Sequence, residues 1–168
     1  YPSHQKSMAV GQRIRVRGNL HSFSEIVETD DTLISLSAMS GLIDADVSSG
    51  LVRVRAGTSI YNLSRALDAI GLAIPNLGDI DVQTIAGAAA TGTHGTGLHF
   101  GNVSAQVMAV RLVTAAGEVV EIDESDPNAL KAARVSLGTL GVATEMTLQC
   151  VPAFRLDRLD LPRPIGET

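Results

Sequence analysis

The chain has 168 residues, of which 45% are hydrophobic and 18% are charged, and it carries a net charge of −5 with a single cysteine. It is long enough to form one domain or two small lobes with a core, and its scattered Lys and Arg residues exclude the basic patch of a nucleic-acid-binding or membrane-surface protein. A single cysteine excludes an internal disulfide and is compatible with a cytoplasmic location. No apolar run is long enough to span a bilayer.

The first half of the chain predicts three strands and one helix. RIRVR at 13–17 alternates Ile14 and Val16 with arginines, which is typical of a half-buried strand that ends at Gly18. LISL at 33–36 and LVRVRAG at 51–57 predict two more strands. Thr58 or Ser59 is expected to cap a helix that ends at Gly71.

The second half predicts a hairpin, a helix and a final strand. VMAVRLVT at 107–114 and EVVEID at 118–123 form strands joined by AAG, and Asp126 followed by Pro127 predicts the start of a helix that runs through Leu137. In GVATEMTLQCV, at 141–151, Cys150 falls on the apolar face. We therefore expect it to be an inert buried thiol.

Two glycine-bearing turns, RGNLHS at 17–22 and IAGAAATGTHGTG at 85–97, are rich in backbone donors and small hydroxyl side chains. Neither has the GxGxxG spacing of a dinucleotide fold, and no GxxxxGK[ST] motif occurs. Uncharged donors of this kind can hold a pyrophosphate, although both stretches could equally be tight structural turns. His94 and His99 have no carboxylate or cysteine at ligand spacing, so we expect no metal site.

Four segments, taken in their order along the chain, resemble the FAD-binding domain of the vanillyl-alcohol oxidase and p-cresol methylhydroxylase family. They are RVRGNLHSF, the segment from VRVRAGTS to THGTG, VRLVTAAGEVVEID and SLGTLGVATEMTLQCVPAF. Within that family, the similarity is to aldonolactone and alditol oxidases, and it extends from about Gly11 to Leu156. The resemblance implies an α+β fold of two lobes with FAD between them: a small sheet of the first strands, flanked by helices, and a larger mixed sheet that includes the hairpin and the final strand. It implies an FAD-binding domain at 1–156, with lobes at about 1–75 and 76–156, and a connector at 157–168 to a substrate domain absent from this chain.

The resemblance also implies which residues contact the cofactor. In the first turn these are Arg17, Gly18, Asn19, Leu20, His21, Ser22 and Phe23. In the second segment they are Gly78, Asp79, Thr84, Gly87, Ala88, Ala89, Ala90, Thr91, Thr93 and His94, with Ser104, Ala105 and Val142 farther along. His21 falls where many members bond a histidine ring nitrogen to the flavin 8α-methyl carbon, and a neutral imidazole has a nitrogen free for this.

The function that the resemblance implies is oxidation of a carbinol in a sugar lactone, an alditol or a related alcohol by hydride transfer to flavin N5. Gly78 falls near the position at which oxygen would approach, so O2 is the expected acceptor and H2O2 the product. No general base is assigned, because the substrate domain would supply it. Two alternatives stay open: a noncatalytic FAD-binding or electron-transfer subunit of the same fold, and a glycine-rich α/β protein that binds no flavin.

Overall fold

The computed structural model describes residues 13–157 and 159–161, so most of the predicted connector lies outside the described residues. The strands are β1 (Ile14–Arg17), β2 (Thr32–Ser35), β3 (Leu42–Asp46), β4 (Leu51–Arg55), β5 (Leu72–Ala73), β6 (Val107–Val113), β7 (Val119–Asp123), β8 (Val142–Gln149) and β9 (Val151–Pro152). The α-helices are α1 (Ile60–Asp68), α2 (Ile85–Ala90) and α3 (Pro127–Arg134), and a 3₁₀ turn covers Val103–Gln106. The predicted α+β class is confirmed.

The strands form one large and two small sheets. The large sheet has the order β3-β4-β8-β6-β7 and is antiparallel throughout, while β1 and β2 form a separate parallel pair and β5 pairs with β9. We expected strands of mixed direction in the larger sheet. The β3–β4 and β6–β7 pairs are antiparallel because a short turn joins each of them and a tight turn reverses the chain. Strand β8 is antiparallel to both β4 and β6, although no short turn joins it to either.

The core lies against one face of the large sheet. Val52 and Val54 of β4 are fully buried, and Met146 and Leu148 of β8 pair beside them. The inward side chains of α1 (Ile60, Leu63 and Leu67) belong to the same buried cluster. This packing follows from the alternation along the strands and from the helical spacing in α1.

The helix ends are set by local chemistry. The Ser59 hydroxyl accepts a hydrogen bond from the Asn62 N–H at the start of α1, and Asp126 caps α3 with Pro127 in its first turn. Both starts were predicted. The end of α3 was predicted at Leu137 but lies at Arg134, because the next residue, Val135, has left the helical region (φ −130°, ψ 54°). Leu137 is left-handed (φ 52°), so the helix does not resume there. Gly71 (φ 75°) follows α1 as predicted.

Helix α2 was read from the sequence only as part of a glycine-bearing turn. It forms because the Thr84 hydroxyl caps it and because Ile85, Ala88 and Ala89 are completely buried. Its Ala86 packs against a buried cluster that includes Val113 and Val142 of the large sheet, and Val16 of β1 packs against the same cluster. Within residues 13–157 and 159–161, no helix is both long and apolar enough to cross a membrane.

Candidate functional site

The first wall of the site is the turn after β1, residues 18–24. Leu20 has a left-handed backbone (φ 59°), which is uncommon for a residue other than glycine and which concentrates at functional sites. None of the backbone N–H groups of residues 19–23 donates a hydrogen bond to another described residue. The turn therefore presents several free donors along one short stretch of backbone.

The second wall is the segment Gln83 to Thr91, which contains α2. The Asn19 side chain donates a hydrogen bond at 2.6 Å to the carbonyl of Val82, the residue just before this segment, which ties the first wall to the start of the second. Gly18 lies so close to Thr84 that a methyl group on Gly18 would collide with the threonine hydroxyl. That hydroxyl accepts the Gly87 N–H at 3.2 Å, which fixes its position.

The third wall is the turn at residues 136–141, after α3. Leu137 and Gly138 both have positive φ angles, 52° and 74°. The Leu137 N–H donates to Ala90 O at 3.3 Å, which ties this turn to the end of α2. A side chain on Gly138 would meet no atom within 4 Å, so the backbone there faces open space.

The three walls enclose an open cleft with a volume of about 910 Å³, near the upper end of the range typical of ligand sites. Its floor is apolar and includes Val16, Leu112, Ala143 and Met146. Among the described residues that line the cleft, the ionisable side chains are those of His21, Glu28 and Asp30, and there is no Lys or Arg. An anionic group here would be held by N–H dipoles rather than by cationic side chains.

Half of the predicted site residues line this cleft: Gly18, Asn19, Leu20, His21, Ser22, Phe23, Thr84, Gly87, Ala90 and Thr91. The other half lie outside its lining: Arg17, Gly78, Asp79, Ala88, Ala89, Thr93, His94, Ser104, Ala105 and Val142.

Several residues of the second group have evident structural roles. Ala88 and Ala89 are fully buried on the inner side of α2, and the Ser104 hydroxyl donates to Ala89 O at 2.7 Å. Val142 is buried in a cluster with Leu36 and others under the small sheet. A cofactor role for these residues stays a prediction.

Gly78 lies on a neighbouring loop. A methyl group built on it would come within 3.0 Å of Thr93 Cγ2 and 3.4 Å of His94 O. The space that a larger side chain would need is therefore already occupied by the 93–94 backbone and side chain. His94 itself has a ring nitrogen, Nδ1, 2.8 Å from Gly95 O.

Sequence reasoning missed a substantial part of the lining. The missed residues are Val16, the stretch 24–30 except Glu25, Leu33, Leu36, Gln83, Ala86, Val110, Leu112, Ala133, Ser136, Leu137, Gly138, Leu140, Gly141, Ala143 and Met146. The paired glycines of SLGTLG were a signal that the third wall needs unusual backbone angles. The floor residues gave no such signal, because they look like any core residue.

Outside the cleft, burial raises the pKa of the Cys150 thiol to about 11, so the predicted inert thiol stays protonated at neutral pH. In the part of the chain that the structure describes, no three His, Cys, Asp or Glu side chains are grouped to hold a metal ion.

Comparison with known proteins gives matches over nearly all of this chain. The family model described as "FAD binding domain" matches residues 7–123. L-gulono-1,4-lactone dehydrogenase of Mycobacterium tuberculosis is 45% identical over 94% of this chain and 36% of its own length. For putative D-arabinono-1,4-lactone oxidase of Neurospora crassa the identity is 42%, over 86% of this chain and 26% of that protein. L-gulonolactone oxidase of Bos taurus is 40% identical over 93% of this chain and 36% of its own length.

The chain therefore spans about a third of the length of these relatives. Among solved structures, a cholesterol oxidase variant from Brevibacterium sterolicum superposes with a TM-score of 0.80 over 90% of this chain and 32% of that one. The sequence identity is 21%, so this likeness establishes a shared fold.

Proposed function

The chain belongs to the FAD-binding domain family of the vanillyl-alcohol oxidase and p-cresol methylhydroxylase flavoproteins, and from that premise we propose that it is the cofactor-binding part of a lactone-oxidising enzyme. The single observation that carries the proposal is the cleft between residues 18–24, 83–91 and 136–141. We assign the FAD site to it.

The residues of the cleft fit FAD in three respects. The free N–H groups of residues 19–23 are suited to a diphosphate, which needs donors but no cationic side chain when the backbone is close. The small side chains of Ala86 and Ala90 in the lining leave room for such an approach. The apolar floor suits a flat ring system.

Bound FAD supplies the capacity to accept a hydride at N5 from a carbinol carbon and to pass the electrons on. The protein's own part in this is to bind and orient the cofactor. His21 is exposed and lines the cleft, so its ring is available to a ligand there. We assign to it a covalent bond from a ring nitrogen to the flavin 8α-methyl carbon. One hydrogen is lost from each of the two atoms, and reduction of O2 to H2O2 balances that loss.

The test of the cofactor site is flavin retention. The apo chain is incubated aerobically with FAD and denatured, and flavin fluorescence is followed on the polypeptide. We expect fluorescence to stay with the wild-type chain and with His99→Ala, whose histidine does not line the cleft, and to be released from His21→Ala. Release from the wild type would overturn the covalent bond but leave the FAD site. Failure of the native chain to take up FAD would overturn the site itself.

The substrate that we propose is a sugar lactone, because the relatives carry gulono- and arabinono-lactone in their names. We place the substrate-binding and deprotonating groups in a further domain joined through residues 157–168, and O2 is the proposed acceptor. In a protein that contains this domain, L-gulono-1,4-lactone should cause O2 consumption with formation of H2O2. Reduction of an added dye without O2 uptake would favour a dehydrogenase, and no flavin reduction by any lactone or alditol would favour a noncatalytic subunit.

A further inference from the structure

Gln83 lines the cleft, and its side-chain amide carries an unpaired polar atom. Its Nε2 donates to Thr93 Oγ1 at 3.3 Å, while its Oε1 is shielded from solvent and has no hydrogen-bond partner. If the two amide atoms are exchanged, the threonine hydroxyl can donate to the oxygen, and the nitrogen is then left unpaired. With either assignment, one buried amide atom has no partner, and natural structures rarely leave such a group unsatisfied.

The base of this side chain is held rigidly. The Gln83 carbonyl accepts the Ile60 N–H at 2.9 Å, and the next residue, Thr84, forms a β-bridge with Ser59. The Ile85 N–H donates to Thr58 O at 2.8 Å. The side chain therefore cannot gain a partner by a shift of its backbone without breaking these bonds.

The neighbouring polar side chains are already occupied. The Thr91 hydroxyl donates to Gly87 O at 2.9 Å and lies 3.4 Å from the Thr93 hydroxyl. Among the described residues that line the cleft, Gln83 is the one with a shielded side-chain atom that has no partner. An unpaired acceptor on a residue that lines a ligand cleft points to a donor on the ligand.

We propose that Gln83 is a cofactor-positioning residue whose Oε1 accepts a hydrogen bond from bound FAD. The inference rests on the assignment of FAD to this cleft. Two donors of the flavin have the required chemistry: the N3–H of the ring and the hydroxyls of the ribityl chain. Both are uncharged hydrogen-bond donors, as a shielded acceptor requires.

The test compares FAD affinity with apo stability in the variant Gln83→Met, which keeps the length of the side chain and removes its polar atoms. It is done in the His21→Ala background, so that binding is an equilibrium. We expect the Kd for FAD to rise about tenfold, while the urea midpoint of the apo chain stays equal or rises, because an unpaired buried atom has been removed. Gln106→Met, at a partly exposed glutamine outside the cleft, is the control and should leave the Kd unchanged.

A purely structural role gives the opposite pattern. If Gln83 only anchors Thr93, Gln83→Met lowers the urea midpoint and leaves the Kd for FAD within twofold of the parent, and the proposal is overturned. If Gln83→Met fails to fold, Gln83→Asn serves as the second variant. It keeps the amide group but shortens the side chain by one methylene, and the same rise in the Kd for FAD is expected. An unchanged Kd in Gln83→Asn overturns the proposal as well.

Binding of smaller flavins identifies the donor. Lumiflavin has the ring N3–H but no ribityl chain, whereas riboflavin has both. A loss of affinity for all three flavins assigns the N3–H, and a loss for riboflavin and FAD alone assigns a ribityl hydroxyl. If the parent binds FAD and no flavin distinguishes Gln83→Met from it, this inference fails and the proposed function stands. If the parent binds no FAD, the premise fails first.

Discussion

Gly18 and Thr84 compete for the same space where the first and second walls of the cleft meet, so their substitutions should be strongly coupled. A methyl group on Gly18 would overlap the Thr84 hydroxyl, while the next atoms, Cγ2 and Cβ of Thr84, would be 3.4 and 3.5 Å away. Forcing an extra methyl into a filled space costs about 1–3 kcal/mol. We therefore expect Gly18→Ala alone to lower the free energy of unfolding by about 2 kcal/mol.

Thr84→Ala has its own cost. Loss of the helix cap costs about 1 kcal/mol, and loss of a buried methyl group costs about 0.8 kcal/mol, which together give about 2 kcal/mol. In the double variant, however, the new methyl on Gly18 meets only the Cβ of residue 84, at the ordinary contact distance of 3.5 Å. The double variant should therefore be no less stable than Thr84→Ala alone, whereas independent effects would destabilise it by about 4 kcal/mol.

The assay is urea denaturation of the apo chain for both single variants and the double variant. Thr84→Ser is the matched background, because serine keeps the hydroxyl and the cap, and Gly18→Ala should there cost its full amount. Additivity within about 0.5 kcal/mol in the alanine background would refute the steric argument. It would mean that the first and second walls can move apart to accommodate the methyl group.

Three further predictions concern other parts of the chain. Burial raises the pKa of the Cys150 thiol to about 11 from its ordinary 9.0, so the thiol loses its proton at lower pH in the unfolded chain than in the folded one. The free energy of unfolding should therefore fall as pH rises from about 9 to 11. Urea denaturation of Cys150→Ala over this pH range should not show that fall. Ser104→Ala removes the hydrogen bond to Ala89 O and should cost about 1 kcal/mol, or about 2–4 °C in melting temperature, whereas a thermal melt of the exposed Ser40→Ala should match the wild type. Hydroxyl and backbone donors of residues 48 and 49 lower the pKa of the Asp46 carboxyl to about 2 from 3.8. The ionised carboxylate therefore stabilises the fold above pH 3.8, and this stabilisation is lost as pH falls towards 2. An NMR titration midpoint near 3.8 for Asp46 would contradict this.

The oxygen-access prediction at Gly78 also has a definite outcome. Gly78→Val should slow reoxidation by O2 in the complete enzyme, measured by stopped flow, and Gly78→Ala should do so less. Because even a methyl group at this position lies 3.0 Å from Thr93 Cγ2, the effect should be accompanied by a shift of the 93–94 loop. Unchanged reoxidation in Gly78→Val would remove the role.

The parts of the fold that sequence predicts well depend on neighbouring residues. The cap at Ser59, the start of α3 at Asp126 and Pro127, and the hairpin turn at Gly117 (φ 80°) each follow from the chemistry of one to four adjacent positions. The alternation along β8 is equally local, since one face of that strand is buried throughout.

What sequence could not predict depends on residues far apart. Helix α2 has low intrinsic stability, being short and containing Gly87, and it is held by burial of Ile85 and its alanines. The third wall lies more than a hundred positions from the first in the chain, and only the folded sheet brings the two together. The cleft is thus a product of tertiary structure, although its first wall can be predicted from the sequence.

The position of β8 has a consequence for synthesis of the protein. This strand lies in the middle of the large sheet between β4 and β6, yet it is translated after both. Until it leaves the ribosome, β4 and β6 each have one unpaired edge, which is open to wrong pairing and aggregation. Incorrect strand pairing is therefore expected mainly in the interval before β8 emerges.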